Sequence, residues 1–378
     1  MKSCQSLIVV VCALVIVTSS VQGASILIKT RQMPTLMKPA GSQNTTGVAE
    51  VDAVLSAFNV QRVNALFPES VMQTQTALRW MRCDIAEGTN VEALLSQLQR
   101  TTGVEAAQPN RVFQLHYVPN DPLLNEQYAL TNIKAFDAWD MERGDPNVLV
   151  AVIDTGVDYE HPDLRDNLWL NKGEDLNNNG QIDASDFNGV DDDNNGFVDD
   201  IRGWDFTDAP NYPDGGDYLE RDNDPMDGHG HGTGVAGIVA ARADNNLGVA
   251  GLAHGCRVMN LRAFNSSDYG EEDDVASAIL YAIANGARVV NMSFGDVFVS
   301  RVLDDVIQYG YAQGVVMVSS AGNSSTDAIH YPSGFAETIS VGATDDNDER
   351  AAFSNFGSTL DVVAPGSFVL STTLHQDY

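Results

Sequence analysis

From residue 148 onward the apolar positions gather into short runs, separated by longer stretches in which they recur every three or four residues. Val148–Ile153, Val258–Leu261, Val289–Met292, Val315–Val318 and Thr338–Val341 are runs of this kind, bounded by turn residues. Runs that short and that apolar predict strands buried on both faces. Between them Val235–Ala241, Asp273–Asn285 and Val302–Gln313 carry the helical period, and Gly286 and Gly314 stand where helix C-caps belong. Strand-helix alternation predicts an α/β domain, a parallel sheet with helices on both faces. On such sheets a site is expected at the carboxyl ends of the strands.

The first third reads differently. Lys2, the apolar run Leu7–Val17 and the small residues before Ala24 predict a secretory signal over 1–23, too short to span a bilayer. No later stretch is long and apolar enough to cross a membrane. In 24–118, Leu78–Asp84 alternates like a strand, and Thr89 with Glu92 predicts a capping box before a helix over Val91–Leu98. Gly103 follows that helix, and Val112–Leu115 predicts another strand. A small α+β domain is expected, joined through Pro119–Pro122 to a second domain over 119–378.

Charge narrows the partners. The 378 residues carry 52 Asp and Glu against 21 Lys and Arg, a formal net charge of -31. Such a surface repels nucleic acid and anionic lipid and favours divalent cations and basic peptides. Beyond the signal only Cys83 and Cys256 remain, far apart and without metal-ligand spacing; they could pair, but no disulfide scaffold is expected.

Three candidates for chemistry sit at predicted strand ends. Asp154 closes the first run and is placed to orient a base. His231 opens a glycine-rich helix, where a neutral imidazole serves as general base. Asn323 follows the Val315–Val318 run and offers an amide to a developing oxyanion. Taken singly, each has a plainer reading as a turn or packing residue. Their order, Asp then His then Asn, is what changes the picture.

With those residues the chain resembles the subtilisin-like serine proteases. Ile153-Asp154-Thr155-Gly156-Val157-Asp158 with His161-Pro162-Asp163-Leu164 is similar to the family's aspartate motif. His231-Gly232-Thr233-Gly234-Val235-Ala236-Gly237 is similar to its histidine motif, with Gly234 where His is common. Asn291-Met292-Ser293-Phe294-Gly295 resembles the substrate-binding strand and Ala321-Gly322-Asn323 the oxyanion motif. Phe353-Ser354-Asn355-Phe356-Gly357 and Val362-Val363-Ala364-Pro365-Gly366 resemble the stretch ahead of the serine motif. The resemblance implies a secreted endopeptidase acting on protein or peptide substrates. Asp154 would fix the tautomer of His231, His231 would relay the proton of a serine, and Asn323 would hold the oxyanion. It also implies that 24–118 is the chain's own inhibitory propeptide, and a monomer is expected.

The chain departs from the family in one respect that matters. No Gly-Thr-Ser-Met-Ala segment occurs in the 378 residues, although it is expected shortly after Val369-Leu370-Ser371-Thr372-Thr373. A chain cut short before the serine, and so inactive in this form, is expected rather than a selected pseudoenzyme. The alternative is a non-catalytic secreted protein that binds calcium or peptides.

An acidic insert over about 171–202 separates Asp154 from His231. Asp175, Asn177 and Asn179 place oxygens at positions 1, 3 and 5 of a calcium loop, with Gly180 at 6, Gln181 at 7, Asp183 at 9 and Asp186 at 12. Asp191, Asp193, Asn195 and Asp199 repeat the start of that pattern, but Arg202 stands at position 12 and leaves its closure open. Oxygen ligands without His or Cys predict calcium over zinc. Asp163 and Asn245 loosely resemble ligands of another calcium site of the family. Ser293, Phe294 and Gly295, with Asp268, Tyr269 and Gly270, resemble the two strands that clasp an extended peptide. Glu271, Glu272, Asp273 and Asp274 beside them predict tolerance for basic substrate residues, or simply favour the start of the next helix.

Overall fold

The computed structural model describes residues 25–34, 45–111 and 116–378. The predicted signal and the predicted strand Val112–Leu115 lie outside them. The chain divides into two compact units between positions 114 and 115, where the sequence reading put the boundary at 118.

The first unit is a four-stranded antiparallel sheet in the order β2-β3-β1-β4, from β1 (Ser25–Thr30), β2 (Arg62–Ala65), β3 (Trp80–Asp84) and β4 (Val104–Pro109). Helices α1 (Ala49–Ala57) and α3 (Val91–Gln99) supply the connections, with short α2 (Glu69–Thr74) before β3. This is the split βαβ arrangement. Ile26, Ile28, Met81 and Cys83 bury one face of the sheet under Val51, Leu55, Leu94 and Leu98. The predicted strand from Leu78 starts two residues late, because Thr76–Leu78 forms a 3-10 turn. The predicted capping box does not form: Asn90 caps α3, its side chain accepting from the Ala93 N–H, while the Thr89 hydroxyl donates to the Ala86 carbonyl.

The second unit is built on a seven-stranded sheet whose paired neighbours all run parallel. Its order is β11-β10-β9-β8-β5-β7-β6. The strands are β5 (Leu149–Asp154), β6 (Trp204–Asp205), β7 (Arg257–Arg262), β8 (Val289–Met292), β9 (Val316–Ser320), β10 (Thr338–Thr344) and β11 (Val362–Pro365). Short helices α4 (Tyr128–Asn132) and α5 (Ala135–Trp139) precede β5, and α6 (His231–Ala240), α7 (Glu272–Ala284) and α8 (Arg301–Ala312) form the crossovers. Successive residues of central β5 face opposite cores. Ala151 and Ile153 pack with α7 and α8, whereas Val152 packs with Ala236 and Ala240 of α6. That is why the strand reads as a continuous apolar run.

Gly286 and Gly314 take φ 84° and 81° just past α7 and α8. There Ala287 N–H reaches the Ala282 carbonyl and Val315 N–H the Gly310 carbonyl, each helix ending in a Schellman motif. Cys83 and Cys256 are both buried free thiols.

Candidate active site

Asp154 is the last residue of β5 and is buried. Its Oδ1 accepts the Thr155 N–H at 2.8 Å and lies 2.7 Å from Nδ1 of His231, the first residue of α6. A carboxylate can only accept, so the proton between them belongs to Nδ1. Nε2 is thereby left with the lone pair a general base needs. The bond to Asp154 raises the His231 pKa above 6.5, outweighing burial, which pushes the other way.

The approach of α6 to β5 depends on Gly232. A Cβ there would stand 2.0 Å from the Gly156 carbonyl oxygen and 3.0 Å from the Asp154 Cβ, so any side chain would drive His231 off its partner.

Asp227 holds this junction, and sequence reading missed it. Its buried carboxylate accepts five hydrogen bonds. Oδ1 takes the Thr155 hydroxyl at 2.9 Å and the His229 and Gly230 N–H groups at 2.8 Å each. Oδ2 takes the Thr233 N–H at 2.9 Å and hydroxyl at 2.6 Å. It thus ties the end of β5, the loop before α6 and the first turn of α6 to one atom group. An Asp four residues before a glycine-flanked His, where a helix start needs acceptors, was the available signal.

Asn323 is exposed in the loop after β9, on the same edge of the sheet and two strands from β5. It contacts neither Asp154 nor His231, and its side chain hydrogen-bonds to none of the described residues. Asn355, in the quoted Phe353–Gly357 motif, shapes that loop. It donates to the Ala321 carbonyl at 2.8 Å and accepts the Ser324 N–H at 2.9 Å. Ser371 is turned away from the base: its hydroxyl donates to the Gly234 carbonyl at 2.6 Å.

Ser293, Phe294 and Gly295 leave the sheet after β8, and the N–H groups of Ser293 and Phe294 find no partner among the described residues. Asp268, Tyr269 and Gly270 are not a ladder strand. Asp268 has φ 69°, and Asn265 closes the turn by donating to the Tyr269 carbonyl at 2.8 Å. Phe264 and Phe294 meet at 4.9 Å and bring the two segments together. Tyr269 stacks on Tyr212 at 4.8 Å. Asp273 and Asp274 both pair with Arg221, which leaves Glu271 and Glu272 as the acids without that partner.

The two acidic loops fold alike. Asp175 accepts from the Asn179 and Gly180 N–H groups as Asp191 does from Asn195 and Gly196. Asn177 and Asp193 likewise accept from Asn179 and Asn195, and Asn179 and Asn195 accept from Gln181 and Phe197. Asp183 and Asp186 close the first loop, with Asp186 Oδ2 accepting the Asp183 N–H at 2.8 Å and its buried Oδ1 unpartnered. Asp199 departs from the reading. Both its oxygens turn onto the Asn188 and Gly189 N–H groups, away from its own loop. Within the insert Asn171 donates to Asp200 at 2.7 Å, and Phe197, packed on Tyr281 of α7 at 4.8 Å, anchors it to the sheet unit.

Three acidic groups bring ligand oxygens within 4.8 Å of one another. Asp208, Asp273 and Asp274 already surround Arg221, and Asp205 of the second group pairs with Arg262. The third, Glu174 with Asp191 and Asp193, has no Lys, Arg or His bridging it among the described residues. The hard, anionic oxygens of the insert suit calcium. Asp163 and Asn245 meet at 2.6 Å.

A model of the subtilase family matches residues 145–378, the unit that carries this pair. The chain belongs to the subtilase family. It is 34% identical to the thermophilic serine proteinase of Bacillus sp. (strain AK1) over 334 residues, 88% of this chain and 66% of that one. It is 34% identical to thermitase of Thermoactinomyces vulgaris over 257 residues, 68% of this chain and 76% of the relative. Among solved structures it matches proteases from Pseudoalteromonas arctica PAMC 21717 with a TM-score of 0.54 and 28% identity, over 66% of this chain and 73% of that one. Within that unit Asp154 and His231 are in contact, and no helix of the described residues is long and apolar enough to cross a membrane.

Proposed function

We propose that the chain is the larger part of a secreted serine endopeptidase, made as a zymogen and stabilised by calcium. The observation that carries this is the 2.7 Å contact between Asp154 and His231, with Nε2 left free. Asp154 holds the tautomer and offsets the charge His231 gains on taking a proton. His231 accepts the nucleophile's proton and returns it to the leaving amine. Asn323, with its side chain uncommitted, donates to the oxyanion. Ser293–Gly295 and Asp268–Gly270 grip an extended peptide through backbone groups, which gives little side-chain selectivity. Residues 24–118 serve as the chain's own inhibitor.

The nucleophile is a serine in a Gly-Thr-Ser segment that these 378 residues do not contain. The test is to read the source DNA past the codon for Tyr378 and to assay the longest product on casein. A frame reaching Gly-Thr-Ser, with activity lost on His231→Ala, supports the proposal. A stop codon at that point, with no peptidase activity, overturns it in favour of a calcium- or peptide-binding protein. Calcium in the insert is expected to protect 165–210 from added protease, and equal cleavage with calcium and with chelator would refute that role.

A further inference from the structure

We infer that the second acidic loop of the insert is closed by Glu174, from before the first loop, so that Glu174, Asp191 and Asp193 together hold one calcium ion. The inference rests on the proposed calcium role of the insert and deepens it by naming a ligand that lies outside both loop patterns.

The second loop lacks a carboxylate at its closing position. A calcium loop of this kind takes its last carboxylate from position 12. Here that position is Arg202, whose guanidinium lies over the rings of Tyr159 and Phe187 at 4.3 and 4.8 Å. Asp199, the candidate before it, is spent on backbone N–H groups of Asn188 and Gly189. The loop as written therefore lacks its closing anion.

Glu174 fills that role from another direction. It is wholly buried, with 0% relative exposure. One oxygen, Oε1, accepts the Asp192 and Asp193 N–H groups at 3.0 and 3.3 Å, which fixes the side chain against the second loop. The other, Oε2, is buried without any hydrogen-bond partner. A buried carboxylate oxygen with no donor is costly unless something positive meets it. Glu174, Asp191 and Asp193 each offer an oxygen within 4.8 Å of the others, and no basic side chain stands among them in the described residues. Calcium takes oxygens at about 2.3–2.6 Å, so two ligands of one ion lie at most about 5 Å apart. The cluster has that size. Asn195, whose Oδ1 accepts the Phe197 N–H, donates its own N–H to Asp193, as Asn179 does to Asn177 in the first loop.

The test uses the full chain, stripped of metal and titrated with Ca2+ by calorimetry, beside Glu174→Gln, Asp191→Asn, Asp183→Asn and Arg202→Gln. Glu174→Gln and Asp191→Asn are expected to weaken the same class of site at least tenfold. Asp183→Asn should act on a different class, and Arg202→Gln should stay within twofold of the parent. Melting adds a sign that a purely structural glutamate would not give. Removing one charge from a crowded anionic set should raise Tm in chelator and lower it in saturating Ca2+. If Asp191→Asn loses a site while Glu174→Gln binds like the parent, the loop binds calcium and the inference alone fails. If the parent takes up no Ca2+ at millimolar concentration, the calcium reading of the insert fails with it. Should Glu174→Gln not fold, Glu174→Asp, with its carboxylate one methylene short, is held to the same tenfold criterion.

Discussion

Asp227 offers the sharpest test of how the Asp154–His231 pair is held. Replacing it with Ala strands five donors. The Thr155 and Thr233 hydroxyls can turn to other acceptors, but the N–H groups of His229, Gly230 and Thr233 cannot. A buried donor left unpaired costs about 1–3 kcal/mol. Two of the three N–H groups lie near solvent, where water replaces part of the loss, so about 3–5 kcal/mol is expected in all. Asn should cost less, about 1–2 kcal/mol. Its oxygen can keep the Oδ1 bonds, and only its NH2 then faces the Thr233 N–H. The assay is urea unfolding followed by tryptophan fluorescence in a Trp80→Phe background, which confines the signal to Trp139, Trp169 and Trp204 of the second unit. A second readout is the NMR titration of His231, whose midpoint should fall as the first turn of α6 loosens from Asp154. An Ala variant within 1 kcal/mol of the parent, with an unmoved His231 midpoint, would refute the reasoning.

Two further predictions follow from the charge pairs. Asp154→Asn should lower the His231 midpoint, because the bond to Asp154 is the largest cause of its elevation; NMR titration checks this. A raised histidine pKa stabilises the fold below 6.5 and ceases to as pH rises through the folded value, so the variant's stability loss should be larger at pH 6 than at pH 9. Arg221→Gln leaves Asp274 buried without its cation, at a cost of about 2–4 kcal/mol once the partial exposure of Arg221 is allowed for. Burial already pushes Asp274 up to about 6. A raised carboxylate pKa means stability is lost as pH rises through it, so the Arg221→Gln penalty in urea titrations should be greater at pH 8 than at pH 5.

The second unit was legible in the sequence because its strands are buried on both faces. A short, mostly apolar run such as Val289–Met292, bounded by turn residues, fits a strand buried on both faces, and its bounds match β8. Asp154 and His231 were legible because each stands at an element end. The first unit was harder, since a half-exposed strand such as β3 and its neighbouring 3-10 turn share one apolar pattern. Asn90 rather than Thr89 caps α3 because the two side chains compete for the same helix end, and spacing alone does not rank them. The partners that act across the fold left the weakest trace. Asp227, Asn355, Phe264 and Glu174 are positioned by contacts 30 or more residues away, or by burial, and neither has a period.

The strand order has a consequence for how the molecule is made. β5, which carries Asp154, is the first strand of its sheet to be synthesised and lies between β7 and β8. Its register partners on one side end at Arg262 and on the other at Met292. At about 5–20 residues per second, the ribosome needs on the order of ten seconds to get from Asp154 to Arg262, where the first of those partners ends. For that interval the most apolar strand of the unit has no lateral neighbour, and the acidic insert is already out. A self-repelling segment next to an unpaired strand is expected to keep nascent chains apart, a consequence of the insert's charge separate from any ion it holds.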